Sequence, residues 1–381
     1  MKKTNLIPIV LVLLLLSCKN IKSADADNKA SRFKVGTSTE YDVGFFDENK
    51  QVVFLSEGIL YLFKNGYTVL QNEENMTVIT SQGKVLFDYK TDPAMYWSYG
   101  EGFFSSYWTN EDHAVVYDSN GKRTKIQTSR PVKNGFYVAY NADNKKMYYK
   151  SINGKELRQQ NKEIYYSEFC DDFYEGFAIV GSNEQYGIID LSAEEVVEKK
   201  FLFLGNLKYG YATASKECGR EAYKNKTKPL FGVIDMNGIW IVAPNYYEAM
   251  VISPDKVVIK STSFDNQRDC GWSIYNFSTG AISILKKNID LQIDCESNEI
   301  FFDEAAIFCF TDSCDKYGII SSNGNILLEP ICSKIEPFPD NGYWQILVDD
   351  KWLLFKDGEG LIKPEEYLYG NYLGHDFLTG K

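Results

Sequence analysis

The 381-residue sequence is poor in the residues that most often run chemistry. It has two histidines, His113 and His375, far apart and with no pattern of ligands around them. Both are therefore read as solvated surface residues, and no catalytic base or metal ligand is assigned to either. Glycines stand singly in turn-like contexts and nowhere form the strand-to-helix loop that cradles a phosphate. Asp312-Ser313-Cys314-Asp315 lacks the alternating ligand spacing of a calcium loop, and no two cysteine pairs have zinc spacing. No cofactor is expected. Proline is scarce (10 residues) whereas tyrosine (27) and phenylalanine (24) are abundant, which favours strands. Helical periodicity over three turns is rare outside the N-terminus. Basic side chains are outnumbered, 41 against 52 acidic ones, and a net charge of −11 repels phosphate backbones. Nucleic acid is accordingly not expected as a partner.

The one long apolar run is Leu6 to Leu16, preceded by Lys2 and Lys3 and interrupted by Pro8. It is about half of the roughly 20 residues that cross a hydrocarbon core, and it has the layout of an export signal. It ends in Leu15-Leu16-Ser17-Cys18, which resembles the bacterial lipobox. The expectation is a signal peptide over 1–17 and lipid attached to Cys18, giving a membrane partner through several acyl chains. Lys19 in place of Asp, by resemblance to the sorting rule of enteric bacteria, implies the outer membrane of the cell envelope, with the leaflet left open. Residues 18–42 are polar and small, and are read as a lipidated tether.

Seven further cysteines remain, an odd number. Cys309 with Cys314, flanking a hairpin tip, and Cys218 with Cys270, in polar insertions of successive units, are the candidate disulfides. Buried unpaired thiols are the alternative for each pair.

Self-comparison shows the architecture. Short β-branched or aromatic runs meet a turn opened by Asp, Asn or Ser and closed by Gly, as in Gly232-Val233-Ile234-Asp235-Met236-Asn237-Gly238 and Gly318-Ile319-Ile320-Ser321-Ser322-Asn323-Gly324. A second strand follows and ends at proline, at Pro244, Pro330 and Pro364. In Gly187-Ile188-Ile189-Asp190-Leu191-Ser192-Ala193 the turn glycine is replaced. The predicted fold is all-β: tandem β-hairpin or meander repeats of about 33 to 44 residues, about eight in number, forming a closed β-propeller-like array over 43–367 with a C-terminal tail at 368–381. An open β-solenoid is the alternative. Gln51 to Leu55 is expected to complete the final unit.

Gln185-Tyr186-Gly187-Ile188-Ile189-Asp190, Leu230-Phe231-Gly232-Val233-Ile234-Asp235 and Lys316-Tyr317-Gly318-Ile319-Ile320-Ser321 resemble the bacterial WG repeat. The resemblance covers Tyr174 to about Tyr367 well and Gln51 to Gly154 loosely. Tyr or Phe stands where that repeat has Trp, Gly271-Trp272 is reversed, and Lys351-Trp352-Leu353 lacks the glycine. The resemblance implies a repeat scaffold rather than a reaction.

Function is therefore sought in surfaces. Trp97, Trp108, Tyr343 and Trp344 are the candidate ligand-binding aromatics, able to offer flat faces to a sugar or anchors to a protein. Adjacent acids such as Asp171-Asp172, Glu194-Glu195 and Asp349-Asp350 point to opposite sides of a strand and make poor catalytic pairs. The expectation is a non-enzymatic envelope lipoprotein that binds a protein or glycan. A carboxylate-based glycoside hydrolase and a structural component of an outer-membrane assembly are the alternatives.

Overall fold

A computed structural model describes residues 30–47, 51–61, 66–72, 75–90, 96–107, 115–128, 130–217, 229–261, 271–292, 300–302, 304–336 and 341–364. The elements on those residues are β-strands, Pro364 alone being helical, and every pairing is antiparallel and between consecutive strands or nearly so. No described helix is long and apolar enough to cross a membrane.

The strands fall into eight sheets. Seven of them are blades of conventional size, and the seven-stranded sheet is two blades fused through one long strand, Trp240–Ser253. The first half of that strand pairs backwards, Val233 with Val242, and its second half forwards, Ala249 with Ile259; Tyr246 does both. Among the described residues nine blades result, over residues 31–57, 59–90, 96–118, 136–167, 169–201, 203–246, 246–286, 289–332 and 334–362.

The local chemistry repeats with them. The opening aspartate accepts two backbone N–H bonds across its turn: Asp235 Oδ1 from Asn237 and Ile239 (both 2.9 Å), Asp190 Oδ1 from Ser192 and Glu194, Asp118 Oδ1 from Asn120 and Lys122. These bonds hold the Asp235 carboxyl below its ordinary range even though burial pushes the other way. Asp235→Ala should lower stability by about 1 kcal/mol, the usual worth of such bonds, read from urea unfolding of the full chain. An unchanged midpoint would show the turn to be set by its glycine alone. At the replaced copy, Ala193 itself takes the left-handed φ of +63° that Gly238 takes at +72°.

A different glycine explains the start of each hairpin. Gly187, Gly232 and Gly318 each sit where the ladder to the next strand shifts register. A Cβ there would meet the carbonyl oxygen of Val197, Val242 or Leu328 at less than 3.0 Å, so only a bare backbone fits. Gly44 shows the same crowding against the Phe54 carbonyl. Gly44-Phe45-Phe46-Asp47 is thus a unit that the turn pattern does not reveal, since Asp47 bonds to Gln51 and no glycine stands between them. This is why nine blades stand where about eight were expected.

Several successive blades are joined with almost no loop. A blade's last strand runs into the next blade's first through one residue at Gly58, Glu168, Leu202 and Ser333, and without a break at Tyr246. Alternate side chains of a strand then face the two neighbouring blades, which is why the strands read as unbroken apolar runs. Ala178 and Val180 pack towards blade 4 with Tyr149, while Ile179 between them packs towards blade 6 with Ala212 and Ala214.

The core is therefore divided into nine apolar clusters, one per junction. The ninth joins the last blade to the first: Tyr343 and Leu354 against Phe33 and Phe46. Polar contacts cross the same seam, Lys34 Nζ to Glu336 Oε1 at 2.9 Å and Asn341 Nδ2 to Ser31 Oγ at 2.9 Å. The array is closed, as expected, and the closure is made by packing between sheets.

Two expectations need correcting. Residues 31–36 form the first strand, with Phe33 in the core, so the tether read over 18–42 does not extend past Ala30: Phe33 and Val35, two apart, find neighbours in the distant last blade. Val52–Glu57, which covers most of the segment expected to complete the final blade, instead pairs with Tyr41–Phe46 inside blade 1. Local pairing across a short turn costs less chain entropy than a partner some 300 residues away.

Candidate binding surface

Tyr343 and Trp344 are core residues, 6% and 4% exposed. Being adjacent on one strand they face opposite ways, and both ways are covered: the Tyr343 ring meets Phe46 of blade 1 edge-on at 5.1 Å, and Trp344 meets Phe302 of blade 8 at 6.3 Å. They are therefore withdrawn as ligand-binding residues. Trp97 lies on a described strand, Tyr96–Gly100, but its side chain falls outside the described residues, as do Trp108, His113, His375 and Cys18. Cys218, Cys270 and the side chain of Cys314 also lie outside them. Cys309 is buried, its sulfur accepting a bond from Gln292 Nε2 at 3.7 Å. Burial pushes the thiols of Cys170 and Cys332 up to about 12, out of the range in which a thiolate reacts.

Two polar clusters bridge blade junctions. At the junction of blades 7 and 8, Trp272 Nε1 donates to Asp290 Oδ1 at 2.9 Å, and Lys260 Nζ reaches the same oxygen at 3.0 Å while standing 4.8 Å from the Trp272 ring centroid. At the seam of blades 9 and 1, Lys34 Nζ lies 4.5 Å from the Trp352 ring and 4.9 Å from that of Tyr41, paired with Glu336; Lys334 approaches Glu336 at 3.3 Å. Burial draws the Lys34 ammonium below its usual pKa, outweighing the pull of Glu336. Burial would raise Glu336, but Lys34 and Lys334 hold its carboxyl below the usual range. The two side chains are engaged with each other across the seam, which suits them to holding blades together. Arg130 Nη1 similarly donates to the Cys170 carbonyl at 2.9 Å and lies 3.7 Å from Asp171. Among the described residues no three His, Cys, Asp or Glu side chains gather as metal ligands.

The outward-looking chemistry is elsewhere. Ile282–Lys286 is the last strand of the seven-stranded sheet and the most open apolar one: Ile282 and Ile284, two apart and hence on one face, are 54% and 64% exposed. The last strands of blades 5 and 8, Glu195–Phe201 and Ile326–Cys332, instead expose Glu198 and Glu329 beside buried Val197 and Leu328, with Ile331 of blade 8 less open at 39%. Sequence patterning misses the Ile pair because Ile-Ser-Ile-Leu-Lys reads like any other half-buried strand.

From Tyr317 to Trp352 the chain matches the family model described as WG containing repeat. Residues 317–352 are similar to a WG repeat. The match runs one period, from the residue in the Trp place of blade 8 to that of blade 9. In WG terms, Tyr186, Phe231 and Tyr317 precede the crowded glycine, and pairing puts Trp272 and Trp352 in the same place. Ser273 pairs with Ile259 and Leu353 with Ile346 as Gly187 pairs with Val180, so the WG glycine is replaced by serine and leucine in those two blades. No curated protein matches the chain by sequence.

Among solved structures, a eukaryotic initiation factor is similar over 87% of this chain and 95% of its own, with a TM-score of 0.54 and 10% identity. That likeness is one of fold. AztD from Citrobacter koseri (TM-score 0.39, 10% identity, 77% of this chain and 92% of that one) and Hsv2p from Kluyveromyces lactis (0.37, 11%, 69% and 91%) are more distant.

Proposed function

We propose that this chain is a lipid-anchored protein of the bacterial cell envelope whose WG-repeat ring binds a protein or glycan partner and performs no catalysis itself. The observation that carries the reading is how the ring spends its surfaces. Both faces of each blade hold neighbouring blades, so strand edges and loops are left to meet a partner, and on one edge an apolar Ile282/Ile284 stripe stands in solvent. Exposed apolar stripes on a folded protein mark contact sites. The ion-paired state of Lys34, Glu336, Lys260 and Asp290 supports a structural role for these charges.

The anchor rests on Leu15-Leu16-Ser17-Cys18 and on the polar stretch to residue 29. Metabolic labelling with a fatty-acid probe should mark the wild-type chain and lose all label in Cys18→Ala; a labelled variant would remove the anchor from the proposal. Binding on a glycan array, followed by analysis of the bound glycans for cleavage products, tests the rest. Turnover would replace the binding reading with a hydrolase. Retention of a glycan should survive Trp344→Phe, a conservative change in the core, and a protein contact should be lost in Ile282→Lys/Ile284→Lys with little change in thermal midpoint.

A further inference from the structure

The hairpin tips of the ring divide between two rims. The turn joining the last two strands of a blade lies beside the turn that leads into the strand before them. In blades 2, 4, 7 and 8 this is a direct bond: the N–H groups of Ser81, Ile152, Phe277 and Ser322 donate to the carbonyls of Gly66, Gly135, Asp255 and Glu304. Neighbouring blades share the rim, since the Glu101 carboxylate of blade 3 accepts from Asn134 N and Gly135 N at the entry to blade 4, and Asn134 Oδ1 accepts from Gly176 N of blade 5. The remaining turns fall at the other end of the antiparallel strands, where Asp350 of blade 9 accepts from Ser38 of blade 1.

The first of these rims is aliphatic at its tips. Val85, Ile152, Leu191, Ile239 and Leu361 stand in or directly after the last turn of blades 2, 4, 5, 6 and 9, and are 41% to 59% exposed. Folding does not ask for them. Ser81 and Ser119 hold the place of Ile152 and Leu191 in blades 2 and 3, and Lys84, Lys122 and Lys155 hold that of Ile239 in blades 2, 3 and 4. On the other rim the described tips are polar, with Ser38, Asp143-Asn144, Asn183-Glu184 and Asp349-Asp350. Tyr140 is open near one of them, while the exposed Ile59, Phe203 and Ile331 lie along joints between blades.

The chain enters the ring on the aliphatic rim. Ser31 pairs with Phe46, the residue before the Asp47–Gln51 turn, and Asn341 Nδ2, in the turn that leads into Tyr343–Val348, donates to Ala30 O and Ser31 Oγ. Cys18 is 12 residues before Ala30, a reach of at most about 40 Å. Resting on the lipid anchor proposed above, we infer that this rim lies against a lipid bilayer, its aliphatic tips dipping into the headgroup region, while the polar rim faces away towards the partner.

A protein partner is met by anchors clustered at the centre of a patch. Here the aliphatic side chains come one to a blade around the ring, with Gly, Ser and Asn among them, which suits a flat surface that takes each of them to the same shallow depth. Charge adds little to this contact, because Lys84, Lys122 and Lys155 on the rim are offset by Glu194 and Glu359. Binding is therefore expected to change little with salt.

Photo-cross-linking of the full chain on vesicles of phosphatidylethanolamine and phosphatidylglycerol tests the orientation. A benzophenone side chain replaces Leu191 or Ile239 on one rim, and Asp143 or Gln185 on the other, all of them exposed. After irradiation, lipid-bearing peptides are measured by mass spectrometry. Several-fold more lipid adduct is expected at 191 and 239 than at 143 and 185, at low and high salt alike. Equal adduct on the two rims, or none at 191 and 239, overturns the orientation. The same digest shows whether Cys18 carries acyl chains, so a bare Cys18 would fail the anchor alone, with the rim still judged by its adduct ratio. In a second variant, Leu191→Asp/Ile239→Asp should lower several-fold the adduct formed from a benzophenone at 152, with the thermal midpoint unchanged because both sites are exposed. An unchanged yield at 152 would equally overturn it.

Discussion

Gly318→Ala should destabilise the protein by about 3 kcal/mol, the upper range for forcing one methyl group into a filled site. The added Cβ would lie less than 3.0 Å from the Leu328 carbonyl oxygen, the Pro330 nitrogen and the Phe308 ring at once, so neither strand can retreat without breaking its ladder. The effect is expected as an earlier urea midpoint with an unchanged slope, measured beside Gly342→Ala. Gly342 has a positive φ of 78° but open space around its Cβ position, and isolates the backbone cost of about 1 kcal/mol. Equal losses in the two variants would mean that close strand approach is not what the WG glycine provides.

The second large effect is expected at the seam. Glu336→Ala removes the main partner of the part-buried Lys34 and should cost about 3 kcal/mol, as does breaking other buried pairs from one side. Lys34→Met/Glu336→Leu should recover most of that loss, since the double change removes both desolvation costs and leaves apolar groups beside Trp352. A double variant as unstable as the single one would show that the pair contributes more than compensation. The pH dependence has a definite sign. The folded-state pKa of Glu336 is depressed below its ordinary 4.5, so its contribution is complete above 4.5 and is lost as pH falls through the folded value. Lys34 is depressed from 10.5 by burial, so its contribution has the opposite course, growing as pH rises towards 10.5. Glu336→Gln should therefore flatten the stability profile below pH 4.5 relative to the parent chain. An unchanged acid limb would assign that limb to other carboxylates.

Much of the ring is legible in the chain because its parts are local. An aspartate that bonds backbone N–H groups two and four residues on, a glycine that turns the chain and a proline that ends a strand act within a few residues, and the spacing of Asp190, Asp235 and Ser321 exposes them. The all-β repeat, its approximate period and the WG resemblance follow from such signals. Blade 1 escapes them because Asp47 and Gln51 close a turn without glycine.

The candidate site was much less legible. Tyr343 and Trp344 have the composition of a binding patch, and only the neighbours supplied by blades 1 and 8 make them core. Ile282 and Ile284 have the composition of a core strand and stand in solvent because no described blade covers that edge.

The chain by itself determined the hairpins and their turns, both set by neighbours in sequence. Tertiary structure alone decided that the described strands form nine blades, that Lys34 meets Glu336, and which face of each apolar run looks at which neighbour. The physical reason is that strands buried on both faces carry no polar side to mark their orientation, so partner and direction are chosen only when the ring closes.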